Sequence, residues 1–303
     1  MHFLSSEFPQ SSPEDALFHI IPMPMEQTVS YGSGTALGPN AILDASYQLE
    51  AFDGKSYPGE LGIHTTDVID CSGDAQSCFA NLEAACLPVY QSGKIPVTLG
   101  GEHSLTIAPV RALHSIRQDF GVVQIDAHAD LRDSYEGSPS SHACVMRRVH
   151  ELDIPIFQIG IRNLCKEEIY CRTSEKIGHL DALEIYRNGI PSDLLPSDFP
   201  ENIYLTFDVD GLDASLMPAT GTPEPGGLGW WQALDACEAT AKGRNILGLD
   251  VVELAPRPEL HSCSYTAAKL TYALMGIAAR SLKGISMFAI TGFQLSHFVI
   301  SHS

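Results

Sequence analysis

The chain has 303 residues, with 18 Lys+Arg against 37 Asp+Glu and a formal net charge of −19. Its 44% hydrophobic content is globular and excludes a disordered chain, and its acidity argues against nucleic acid or an anionic membrane as partner, since both attract basic surfaces. Eight scattered cysteines with no CxxC pair, an opening MHFLSSEFPQ without a signal pattern, and no apolar run of spanning length predict a reduced, cytoplasmic protein without a membrane segment.

In chain order, short runs rich in Val and Ile predict strands over 18–21, 67–70, 95–99, 121–125, 154–161, 203–207 and 246–252. Several are apolar throughout, as parallel strands covered on both faces should be. Helical patterns lie between them, near 75–91, 103–116, 142–151, 166–177, 229–242 and 264–282. This alternation predicts an α/β fold, a mostly parallel sheet with helices on both sides. No linker, repeat or charge block divides the chain, so one domain over 1–303 is expected. Trp230 and Trp231 cannot share a helix face, which predicts one of them exposed at a subunit contact, burial of both being the competing reading. Residues 285–303 carry no Asp, Glu, Lys or Arg and are expected to pack on their own chain or a neighbour.

In open parallel sheets ligands bind beyond the carboxyl ends of the strands. Four predicted strands end in unusual clusters there. In Asp126-Ala127-His128-Ala129-Asp130, alternate residues of an extended backbone would share a face, placing two carboxylates and an imidazole together. A polar turn of coincidental spacing is the competing reading. In Asp208-Val209-Asp210, two carboxylates without a nearby Lys or Arg would repel unless a cation lies between them. A solvated loop is the alternative. Gly100-Gly101-Glu102-His103-Ser104 places His103 at a helix N-terminus on the same sheet edge. Glu253 closes the run ending Asp250-Val251-Val252, where a surface carboxylate is the plainer reading.

Together, His103, Asp126, His128, Asp130, Asp208 and Asp210 supply six ligands, enough for two divalent ions. Four Asp charges match two divalent cations. An oxygen-rich set with two imidazoles suits Mn²⁺ better than a thiolate-preferring metal. Two such ions about 3.5–4 Å apart lower the pKa of a shared water, so metal-assisted hydrolysis is the expected chemistry.

GGEHS at 100–104, DAHAD at 126–130, DVDGLD at 208–213, GTPEPGG at 221–227 and DVVE at 250–253 resemble, in order and spacing, the ureohydrolase (arginase–agmatinase) family. The likeness runs from about residue 32 to 279. It implies a three-layer αβα sandwich, two Mn²⁺ per subunit on those six ligands, and a homo-oligomer, a trimer or hexamer. It implies attack of a metal-bridging hydroxide on a guanidino carbon, releasing urea and an amine. It places a catalytic histidine on His142, within Ser141-His142-Ala143-Cys144, and a guanidinium-binding glutamate on Glu253. Asp130 would orient the nucleophile and pass a proton towards the leaving amine.

Two departures count against arginase. Arg132 stands where arginases carry an Asn for the substrate α-carboxylate, and Gly160–Cys165 lacks the acidic residues used near the α-amine. Asp133 and Glu136 would suit a dication at the mouth. Arg132 would instead clamp a carboxylate, or pair with Asp133 or Glu136. The stretch DLRDSYEG with SHACVMRR looks most like the agmatinase branch, which implies agmatine as substrate. Aminopropylagmatine, a guanidino acid such as guanidinobutyrate, and arginine are the alternatives. A binuclear metallophosphoesterase would need a GNH(E/D) motif, absent here. An inactive metal-binding scaffold on the same fold would not require His142 and Glu253.

Overall fold

A computed structural model describes residues 1–282; the 285–303 segment lies outside the described residues. Eight strands form one sheet: β1 Phe18–Met23, β2 Ile63–Thr65, β3 Ile95–Gly100, β4 Phe120–Ile125, β5 Ile156–Ile159, β6 Gly178–Leu180, β7 Asn202–Asp208 and β8 Asn245–Val252. Their order is β2-β1-β3-β8-β7-β4-β5-β6, and every pairing is parallel. The helices are α1 Gly38–Ser46, α2 Ala75–Gln91, α3 Ile107–His114, α4 Val145–His150, α5 Lys166–Ser174, α6 Ala182–Asn188, α7 Trp230–Ala241 and α8 His261–Ser281.

Alternation along the strands builds two cores. On one face Val97, Leu205, Phe207, Leu249 and Val251 pack with Ile42 of α1, Ala236 of α7 and Leu274 of α8. On the other, Ile21, Met23, Val122 and Tyr204 pack with Leu82 of α2, Val110 of α3 and Met146 of α4. Helices therefore cover both faces, and the sheet is the middle of three layers. Double coverage is why β1, β3 and β4 are buried at every position.

The four strands that end in the sequence clusters, β3, β8, β7 and β4, are the four central ones. Their carboxyl ends converge on one spot. The paired glycines matter there. A Cβ on Gly101 would run into the Met25 carbonyl, and the Gly101 carbonyl accepts the Glu253 N–H at 2.8 Å. Glycine thus lets the ends of β3 and β8 close against the 25–28 segment.

Some expectations differ from the fold. Residues 67–70 form no strand; the edge strand is β2, and Val68 is exposed beyond it. Apolar composition alone does not pair a segment once its side chains leave the core. The segments forming β6, α1 and α6 were not predicted, being short and weakly periodic. The extended backbone expected for DAHAD is also absent. β4 ends at Ile125, and Asp130 has φ 54°, a left-handed conformation that breaks the alternation. Of the adjacent tryptophans, Trp230 packs against the core and Trp231 is 73% exposed. No helix of the described residues is long and apolar enough to cross a membrane.

Candidate metal centre

His103 opens a 3-10 turn, His103–Thr106, directly after β3, so its ring is delivered to the sheet edge. Its Nδ1 lies 3.1 Å from Asp126 Oδ2, 3.0 Å from Asp130 Oδ2 and 3.4 Å from Asp208 Oδ2. Across Asp126, His128 Nδ1 lies 3.0 Å from Asp210 Oδ2 and 3.6 Å from Asp126 Oδ1. Two clusters with the spacing of metal ligands result, His103–Asp126–Asp208 and Asp126–His128–Asp210. Asp126 belongs to both, one oxygen facing each.

The DAHAD side chains thus converge through a folded loop. The His128 N–H donates to Asp126 Oδ1 at 2.6 Å, which curls the chain back onto the carboxylate. In the same way Asp208, the last residue of β7, caps the 3-10 turn Val209–Gly211 by accepting the Asp210 N–H at 2.8 Å.

Asp126, Asp130, Asp208, Asp210 and Glu253 are all buried. Burial, with Asp126 alongside, pushes the Asp130 carboxyl up to about 7. Burial, with Asp210 and Asp126, also raises Asp208 well above the carboxylate range. Burial works against charge on His128, but Asp210 and Asp126 outweigh it and push its pKa up to about 12. His103 is likewise held protonated by Asp126, Asp130 and Asp208 against the cost of burial. Without a cation, the cluster neutralises itself with trapped protons.

His142 sits on the 3-10 turn His142–Cys144, capped by Ser141. Burial lowers its pKa, and the opposing pull of Glu102 does not restore it. Glu253 carries φ 66°, a second non-glycine left-handed residue in the site, and its Oε1 accepts the His103 N–H at 2.6 Å. His103, His128, Asp130, Asp208, Asp210, His142 and Glu253 all line one cavity of about 180 Å³, sized for a small molecule.

Arg132 lines that cavity and stacks on the Tyr135 ring, 4.9 Å from its centroid. Among the described residues it makes no ion pair, so the expected partnership with Asp133 or Glu136 does not form. Asp133 does not line the cavity. It is largely exposed and pairs with Arg148 at 2.9 Å.

Several residues that build the site were not singled out in the sequence. The buried Glu102 carboxylate accepts the N–H groups of Gln27 and Thr28 and the hydroxyls of Thr28 and Ser104. Gln124 donates to Asp126 Oδ2 at 2.7 Å and is itself held by Gln158 at 2.6 Å. A glutamine in each of two otherwise apolar strands was the available signal. Arg162 donates to the carbonyls of Gly160, Asp210, Gly211, Leu212, Glu224 and Pro225, tying the DVDGLD and GTPEPGG loops together.

A model of the arginase family matches residues 16–276. The N(1)-aminopropylagmatine ureohydrolase of Synechocystis sp. is 40% identical over 284 residues, covering 90% of this chain and 92% of that protein. The agmatinase of Pyrococcus horikoshii is 35% identical over 283 residues, 90% and 96% of the two. The crystal structure of the agmatine ureohydrolase of Thermoplasma volcanium superimposes with a TM-score of 0.82 at 30% identity, over 92% of this chain and 94% of that one. The chain belongs to the arginase family. It is accordingly a hydrolase of guanidino carbon–nitrogen bonds, a ureohydrolase.

Proposed function

We propose that this protein is a manganese ureohydrolase that cleaves agmatine to putrescine and urea. The observation that carries the reading is the sharing of Asp126 between two ligand clusters, one closed by His103 and Asp208, the other by His128 and Asp210. The donors fit such a centre. They are carboxylate oxygens and imidazoles, which suit Mn²⁺, and His103 Nδ1 is a buried polar atom without a hydrogen-bond partner among the described residues, aimed at three carboxylates. His103, Asp126, His128, Asp130, Asp208 and Asp210 would hold two ions. Bound there, Mn²⁺ supplies Lewis acidity and a water nucleophile at neutral pH.

The remaining steps fall to the chain's own side chains. Glu253 pairs with the substrate guanidinium and fixes its carbon against the cluster. Its backbone bond to the Gly101 carbonyl and its contact with the His103 N–H hold that carboxylate to the ligand set. Asp130 orients the nucleophile and takes its proton. His142, kept neutral by burial, is free to take up the proton released at Asp130 and pass it to the leaving amine. Arg132 spends its charge on the Tyr135 ring and walls the cavity, so a carboxylate on the substrate is not required to balance it.

A second reading, aminopropylagmatine as substrate, is favoured by the 40% identity to a relative named for it. Relative kcat/KM for urea release from agmatine, aminopropylagmatine, arginine and 4-guanidinobutyrate decides the matter. Agmatine foremost supports the first reading, and aminopropylagmatine foremost the second. A preference for the guanidino acid would return Arg132 to the role of carboxylate clamp and overturn both.

We also propose a cytoplasmic homo-oligomer. Trp231, with the exposed Tyr170 of α5 and Tyr186 of α6, supports a subunit contact. Light scattering of the native protein and of Trp231→Glu tests it; a monomer in both would refute it.

A further inference from the structure

Behind His103, on the side away from the carboxylates, lies a buried polar chain. His103 Nε2 is 2.8 Å from the Thr206 hydroxyl. That hydroxyl donates its proton to Asp250 Oδ1 at 2.6 Å. Asp250 is fully buried, and its Oδ2 accepts from the Thr106 hydroxyl at 2.8 Å and the Tyr204 hydroxyl at 2.7 Å. Three hydroxyl donors satisfy the two carboxylate oxygens of Asp250, which makes no ion pair among the described residues.

The donor count decides the direction of the remaining bond. A threonine hydroxyl has one proton. Thr206 gives its proton to Asp250, so towards His103 it offers only a lone pair. His103 must then carry its proton on Nε2, which leaves Nδ1 as the ring's free base when the site takes up a cation. Nδ1 is the atom that meets Asp126, Asp130 and Asp208 and, among the described residues, has no hydrogen-bond partner. Were the Nδ1 tautomer adopted, Nε2 and the Thr206 oxygen would face each other as two acceptors.

We propose that Thr206 and Asp250 are positioning residues that hold His103 in its Nε2–H tautomer and so prepare one of the two metal positions, the one built on His103, and not the other. The proposal rests on the reading of His103 as a metal ligand. It assigns Asp250, the first residue of the DVVE motif, a role distinct from that of Glu253 three residues on. Among the described residues His128 has no such chain behind it: its backbone N–H turns to Asp126, and its ring faces Asp126 and Asp210 at the edge of the cavity. The two positions should therefore respond differently to the same substitution.

The test is titration of metal-free protein with Mn²⁺, free ion being read from its electron paramagnetic resonance signal. Wild type should show two binding sites. Thr206→Val keeps the side-chain shape and removes the hydroxyl; it should weaken one site by about 10–100-fold and leave the other unchanged. Thr206→Ser should restore the lost affinity. Thr240→Val, at a buried hydroxyl of α7 without a partner among the described residues, should change neither site. Unchanged binding in folded Thr206→Val, or equal weakening of both sites, overturns the relay alone. Wild type that binds no Mn²⁺ overturns the relay together with the proposed function. A measurement without any variant covers the case where Thr206→Val does not fold. In Zn²⁺-loaded, ¹⁵N-histidine-labelled wild type, His103 should show a protonated Nε2, and a protonated Nδ1 would contradict the proposal.

Discussion

The Thr28 hydroxyl donates to Glu102 Oε1 at 2.8 Å and, on its other side, accepts the backbone N–H of His142 at 3.0 Å. One hydroxyl thus joins the residue before a proposed metal ligand to the proposed proton donor. Thr28→Val would strand the His142 N–H and leave the buried Glu102 short of a donor, at a cost of about 1–3 kcal/mol. Thermal unfolding should register that loss. Kinetics should show a fall in kcat larger than any change in KM, and Thr28→Ser should recover both.

His142 lines the cavity but belongs to neither ligand cluster. His142→Asn should therefore lower kcat by about 10²–10⁴-fold, the usual worth of a positioned acid or base. Metal content per chain, measured on the same sample, should be unchanged. Loss of metal in this variant would move His142 into the ligand set.

Arg162 is the fastener of the second carboxylate cluster, since one guanidinium holds the carbonyls of Asp210 and of the 224–225 segment. Arg162→Ala should destabilise the protein by about 2–4 kcal/mol, through loss of several charge-assisted bonds at once. Arg162→Lys should recover little, because an ammonium cannot span carbonyls arranged for a planar fork. Denaturant titration of the three proteins gives the comparison.

A cation entering the proposed centre would compete with protons. In the metal-free protein His128 keeps its proton up to about pH 12 and Asp130 up to about 7. These groups have raised affinities for protons, so their protonated forms persist at neutral pH and must be displaced when a cation binds. Apparent Mn²⁺ affinity should accordingly rise as pH increases from about 6 to 8, with protons released on binding. Calorimetry in two buffers of different ionisation enthalpy counts them. Affinity that falls with pH would contradict the charge balance derived for the cluster.

What the sequence disclosed, and what it hid, follows from where each partner lies. Asp126, His128, Asp130, Asp208 and Asp210 were legible because polar residues at the ends of apolar strands have few structural reasons to be there. Their convergence was anticipated for a wrong reason, an extended backbone, whereas the left-handed Asp130 and the turn after Asp208 do the aiming. Glu102, Arg162 and Asp250 escaped notice. Glu102 and Arg162 bind backbone groups, which leave no residue pattern, and Asp250 reaches hydroxyls 44 and 144 positions away. Asp133 looked like a substrate residue from its neighbours in sequence, yet the loop turns it outward to Arg148.

Urea release tests the proposed activity most directly. Protein stripped of metal and then supplied with Mn²⁺ should release urea and putrescine from agmatine in equal amounts, and chelation should abolish the reaction. Phosphate release from a phosphoester without urea from any guanidine, or no activity with the Mn²⁺-loaded protein on any of the four guanidines, would contradict it.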